Sequence, residues 1–127
     1  RDTVVTNNTL SSTSASGAAL ASGGGIFNLS ATATLERTLV ARNSATATGL
    51  GGFNLGGGIA NVLFGGGPPV LALTSSVLMG NRIAASPGVV SLAGGLYTAD
   101  PFTGATFPVA MSRTLIAGNT PSQCFGC

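Results

Sequence analysis

Few side chains in this 127-residue sequence could do chemistry, and their spacing narrows the options further. The chain has no His, which removes Ser–His and Cys–His nucleophilic pairs and any zinc site with an imidazole ligand. It has no Lys either, which removes the P-loop and Schiff-base chemistries. The only acids are Asp2, Glu36 and Asp100. Polysaccharide cleavage needs clustered carboxylates, as an acid–base pair or as calcium ligands, so the question is whether three isolated acids could be brought together. Cys124-Phe125-Gly126-Cys127 is a single C-x-x-C. With no second Cys pair and no His it makes a poor metal site, and no helical pattern follows it to suggest a thioredoxin-like motif. A disulfide involving Cys124 and Cys127, within the pair or to another segment or chain, suits an oxidising compartment. On this reading the chain is not an enzyme, and no catalytic, cofactor-binding or metal-ligating residue is expected.

The elements that position these residues are written as a repeat. One phrase occurs four times: TVVTNN from Thr3 to Asn8, TLVARN from Thr38 to Asn43, SVLMGN from Ser76 to Asn81 and TLIAGN from Thr114 to Asn119. The terminal asparagines are 35, 38 and 38 residues apart, a period that signals a repeat architecture. A second phrase alternates with the first, as GGGIFN over Gly23–Asn28, GGGIAN over Gly56–Asn61 and a degenerate AGGLYT over Ala93–Thr98. A third apolar stretch lies between them, at Ala33–Leu35, Val70–Leu73 and Phe107–Met111.

Each period thus holds three short pieces, rich in β-branched and other apolar residues, punctuated by Gly, Pro and Asn. They are too short for helices and read as strands. The expected fold is all-β, a short parallel β-solenoid of about three coils with three strands per coil and about 4.8 Å between coils. The whole of 1–127 forms one domain, starting mid-coil, with repeats over 9–43, 44–81 and 82–119 and a Cys-bearing tail over 120–127. Like residues stack on like. Asn8, Asn43, Asn81 and Asn119 are expected to form a corner ladder, with Asn28, Asn61 and Thr98 as a shorter one. Val5, Val40, Leu78 and Ile116 are expected to point inward, with Ile26, Ile59 and Leu96 from a second face. Segments 44–55, 82–92, 64–69 and 99–106 are expected to be loops that absorb the unequal periods.

The alternation of GGGIFN or GGGIAN with TLVARN, SVLMGN and TLIAGN resembles the right-handed parallel β-helix repeats of bacterial surface and secreted proteins, including those of the polymorphic outer-membrane type. The likeness runs from about Thr3 to Asn119. It implies a right-handed coil and an extracellular or cell-surface location, and it leaves function open among adhesins, passengers and other secreted proteins.

Coil alignment also decides the fate of the acids. Arg1 should sit over Glu36 and Asp2 over Arg37, two complementary pairs that fix register and neutralise the acids on opposite faces. Strand alternation turns Val4, Leu39, Val77 and Leu115 outward, and that row is entirely apolar. Either the segment Gly49–Leu55 covers it or another subunit or domain does. Open strand edges at the ends point the same way, toward self-association into a fibre or contact with neighbouring domains.

Composition excludes other partners. Charged residues are only 6% of the chain and net charge is +2, carried by five scattered Arg, so no nucleic-acid surface is indicated. No apolar run is long enough for a membrane helix. Asn7 and Asn28 stand in N-x-Ser/Thr sequons, of which only Asn7 is outside the ladders. The Thr-rich stretches at 31–34 and 45–48 do not recur at the repeat period, so a flat ice-binding array is the weakest reading. A structural or adhesive module is the leading expectation, and a polysaccharide-active or glycan-binding β-helix the alternative.

Overall fold

The computed structural model describes all residues from 1 to 127 and contains strands, turns and no helix. The first coil carries β1 (Val4–Thr6), β2 (Thr9–Thr13), β3 (Ala18–Ser22), β4 (Ile26–Leu29) and β5 (Thr32–Glu36). The second carries β6 (Leu39–Ala41), β7 (Ser44–Thr48), β8 (Gly51–Leu55), β9 (Ile59–Val62) and β10 (Val70–Thr74). The third carries β11 (Val77–Met79), β12 (Arg82–Ala85), β13 (Val90–Leu92), β14 (Leu96–Ala99) and β15 (Val109–Ser112). A partial fourth holds β16 (Leu115–Ala117) and β17 (Cys124–Phe125). All inter-strand pairing in the sheets is parallel, each strand meeting its counterpart one period away, which makes the chain a parallel β-solenoid of about three turns.

The three expected strands of each coil form the sheets β1-β6-β11-β16, β4-β9-β14-β17 and β5-β10-β15. They enclose the main core of Val40, Leu78, Ile59, Leu96, Leu71 and Leu73, all fully buried, with Val5 and Ile116 half-buried at its two ends. Register is residue on residue: Val5 pairs with Val40, Val40 with Leu78 and Leu78 with Ile116. A one-residue slip would turn this column out to solvent, which is why the apolar pattern fixes the register so firmly.

Segments 44–55 and 82–92 are not loops. They supply β7, β8, β12 and β13, which stack on β2 and β3 as two further sheets, β2-β7-β12 and β3-β8-β13. Their inward residues are mostly alanine, and Ala19, Ala21, Ala45, Ala47 and Ile83 form a second core. Side chains this small let two sheets lie close together while offering little of the bulky β-branched signal by which strands are recognised. The segments around 64–69 and 99–106 do remain mostly irregular.

The sheet covered on both faces is also not the one expected. Val4 is 67% exposed and Leu115 53%, while Leu39 and Val77 are half-buried, so the outer row of β1-β6-β11-β16 faces solvent. The segment Gly49–Leu55 does not lie over it. Leu55 and Phe53 of β8 pack instead on the outer face of β9 and β14, against Ala60, Val62, Tyr97 and Ala99. Every residue of β9 and β14 is buried as a result.

Three bends per coil are marked by residues in the left-handed region. Asp2, Arg37, Ser75 and Arg113 precede the hydroxyl that opens the Asn phrase, with φ between 48° and 52°. Asn7, Arg42, Gly80 and Gly118 precede its asparagine, with φ between 55° and 62°. Gly23, Gly56 and Ala93 open the glycine phrase, with φ of 70°, 61° and 58°. Ala93 accepts this conformation without the relief that glycine gives its two counterparts, which locates the departure of the third phrase from the pattern.

Candidate functional site

The four asparagines form one continuous hydrogen-bonded column. Asn8 Nδ2 donates to Asn43 Oδ1 at 2.9 Å, Asn43 Nδ2 to Asn81 Oδ1 at 3.0 Å, and Asn81 Nδ2 to Asn119 Oδ1 at 2.9 Å. Each acceptor also takes the backbone N–H of the asparagine below it, and the second Nδ2 hydrogen of Asn43, Asn81 and Asn119 goes to the carbonyl of Val5, Val40 and Leu78. Asn43 and Asn81 therefore use the full capacity of their amides while completely buried, which meets the requirement on a buried polar group. The sequence reading missed how the column ends. Gln123 Oε1 accepts from both the N–H and Nδ2 of Asn119 at 3.0 Å, so a side chain from the tail takes the place of a fifth asparagine. The only signal for it was an amide close behind the last phrase.

The shorter column is also present. Asn28 Nδ2 donates to Asn61 Oδ1 at 2.7 Å, Asn61 Nδ2 to Thr98 Oγ1 at 3.0 Å, and Thr98 Oγ1 to the Phe107 carbonyl at 2.9 Å. Asn28 is thereby tied inside the body, whereas Asn7 is exposed. Neither Thr-rich stretch stacks on threonine through three coils: Thr46 lies between Ser11 and Ala84, and Thr34 is followed by Ala72 and Ala110.

All three carboxylates are engaged. Arg1 Nε lies 2.7 Å from Glu36 Oε2, and Arg37 Nε lies 2.6 Å from Asp2 Oδ1. The acids do not point to opposite faces: Arg37 also pairs with Glu36 through its Nη1, which links the four residues in a single exposed cluster. The hydrogen bond from Arg37 holds the Asp2 carboxyl below its ordinary range and raises the guanidinium in turn. Asp100 lies elsewhere and closes its own turn, accepting from Thr103 Oγ1 at 2.7 Å and from the Phe102 N–H at 2.8 Å. These bonds, the Thr103 hydroxyl first, hold its carboxyl low as well. No group of three or more His, Cys, Asp or Glu residues comes together as a metal site. Cys124 and Cys127 are joined to each other in a disulfide, with Cα atoms 6.1 Å apart.

The one recess is an apolar groove of about 460 Å³ between the outer faces of β3–β8 and β4–β9. Leu20 and Phe53 line one wall and Phe27, Leu29 and Val62 the other, with Phe64 and Phe102 reaching in from the two irregular segments. Four of the chain's six phenylalanines meet here. Phe102 packs edge-on against Phe53, with ring centroids 5.9 Å apart, and at a tilt against Phe64, at 6.1 Å. Both intruding residues are anchored: the Phe64 N–H donates to Ser30 Oγ at 2.9 Å, and Phe102 is held by Asp100. Toward the C-terminal end the same crevice is filled by the chain itself, where Tyr97 is fully buried and stacks on Phe125 at 5.4 Å. Burial, and secondarily the nearby Asp100 charge, pushes the Tyr97 hydroxyl up to about 12.

A second polar feature lies inside the alanine-rich core. Asn54 Nδ2 donates to the carbonyls of Ala45 and Ala84, but its Oδ1 has no partner, nor does the Oγ of its register neighbour Ser91. Together, fold and site define a parallel β-solenoid stabilised by amide columns, with one apolar groove. Comparison with known protein families, curated proteins and solved structures finds no match for the chain.

Proposed function

We propose that this chain is a non-enzymatic structural or adhesive module of an extracellular protein, a rigid solenoid that holds and presents surface. The observation that carries the reading is the engagement of every carboxylate. Asp2 and Glu36 share Arg37, with Arg1 also on Glu36, and Asp100 is bound to its own turn, so the one pair of neighbouring acids is neutralised and the third acid stands apart. The disulfide of Cys124 and Cys127 supports an oxidising, extracellular setting. The polysaccharide-active alternative has less support, because the only recess offers aromatic rings with Ser22 as its one polar side chain, whereas a sugar needs several hydrogen-bonding partners.

Incubation with a panel of polysaccharides, read by reducing-end release, tests the proposal. No turnover is expected, and Glu36→Gln and Asp100→Asn should change stability alone. Turnover that either substitution abolishes would sink the reading.

A further inference from the structure

We propose that the groove between β3–β8 and β4–β9 is a binding site for one small, uncharged, ring-bearing apolar molecule. Its volume of about 460 Å³ falls within the range of small-molecule sites, whereas a stable protein partner would need roughly 800 Å² of surface on each side. No charged side chain lines it, so an ionised ligand would be desolvated there without a counter-charge.

The chain's own packing indicates what fits. The groove continues a crevice that, one coil further on, is filled by aliphatic and aromatic side chains, Leu92, Ala99 and Tyr97 among them. A bound ring would extend that filling. Where Tyr97 and Phe125 stack nearly parallel, at 13°, the rings of Phe53, Phe64 and Phe102 meet at 81° and 50°. Such a cluster offers both edges and faces to a further ring. Phe102 is 69% exposed and Phe64 64%, yet the backbone of each is fixed by a side-chain hydrogen bond, so little ordering is required on binding.

The test is a fluorescence titration of the 127-residue chain with N-phenyl-1-naphthylamine, a neutral three-ring probe, beside 1-naphthoate as a charged competitor. Saturable binding of one probe per chain is expected. Phe102→Ala and Leu20→Ser should each weaken it at least tenfold, while Leu115→Ser, on the outer row of the opposite sheet, should leave it unchanged. Naphthoate should displace the probe at least tenfold less effectively than neutral naphthalene. Circular dichroism checks that each variant keeps its β signal, and Leu20→Ser serves alone if Phe102→Ala unfolds. Non-saturable binding, an equal loss in Leu115→Ser, or displacement by naphthoate as effective as by naphthalene would overturn the proposal.

Discussion

Gly58 lies directly against Asn81: a Cβ built on Gly58 would stand 2.9 Å from Asn81 Nδ2 and 2.7 Å from the Gly95 carbonyl oxygen. The same fit recurs in the neighbouring coils, where Gly25 faces Asn43 Nδ2 at 2.9 Å and Gly95 faces Asn119 Nδ2 at 2.8 Å. The last glycine of one phrase and the asparagine of the other are thus two halves of one contact. That contact explains why the phrases alternate in fixed order along the chain. Gly58→Ala should cost about 1–3 kcal/mol, as overpacking against backbone does. Gly67→Ala, with nothing within 4 Å of the new methyl, should stay within about 0.5 kcal/mol of the parent. Urea unfolding of the two variants distinguishes them, and equal costs would refute the assigned contact.

The asparagine column predicts a gradient of sensitivity along its length. Truncating Asn81 removes the acceptor for both the N–H and the Nδ2 of Asn43 and takes away the Nδ2 donor to the Val40 carbonyl, all in the interior. Asn81→Ala should therefore cost about 2–4 kcal/mol, since each buried group left unpaired costs about 1–3 kcal/mol at most. Asn8 is exposed and ends the column, so Asn8→Ala should cost no more than about 1 kcal/mol. Denaturant midpoints at unchanged m-value give the comparison. A flat response along the column would mean the amides act independently of burial.

Much of this was legible from the residues. The Asn and Gly phrases and the third apolar stretch located three sheets, and the inward column from Val5 to Ile116 followed from register and alternation. The two alanine-rich sheets escaped notice because Ala45 and Ala47 are poor strand formers by propensity, and the stacking of β7 on β2 decides their conformation. The groove was illegible for a related reason. Its phenylalanines stand at positions 27, 53, 64 and 102, in no periodic relation, and two of them, Phe64 and Phe102, are brought in by irregular segments. The ion pairs could be placed by coil alignment, but not the reach of Arg37 to Glu36, which depends on a side-chain conformation at an αL bend.

Stability should fall at both extremes of pH, for opposite reasons. The folded-state values of Asp2 and Asp100 lie below the ordinary 3.8, so each contributes stability that is present above that pH and is lost as pH falls through the lowered folded value. Tyr97 is raised from 10.0 to about 12, so its contribution is complete below pH 10 and is lost as pH rises from there to 12. Thermal midpoints measured from pH 2 to 12 should show both limbs. Asp100→Asn should flatten part of the acid limb, and Tyr97→Phe should remove an alkaline one. An alkaline limb that persists in Tyr97→Phe would place its cause elsewhere.

The tail makes the C-terminal end of the solenoid uneven. From Asn119 the chain passes almost directly to Gln123 and β17, which covers β14, while β12 meets only Thr120 and β13 meets no further strand. A second copy stacked on this end would find β16 and β17 one level above β12, β13 and β15, a step of about 4.8 Å at three of the five sheets. Gln123 also supplies the acceptor that Asn119 would otherwise take from a neighbour. The 127-residue chain should therefore form no open-ended filament, whatever pairing its first coil permits. Truncation after Ser112 removes β16 and β17, so that all five sheets end at the same level and the Asn81 donors are freed. Those donors then match the exposed end of the column at Asn8, and bare parallel edges template further pairing. The truncated chain should assemble end to end where the intact one does not, as read by mass in solution and negative-stain microscopy across concentration. Filaments of the intact chain would show that the tail is no barrier, and the closure assigned to Gln123 and β17 would fall with it.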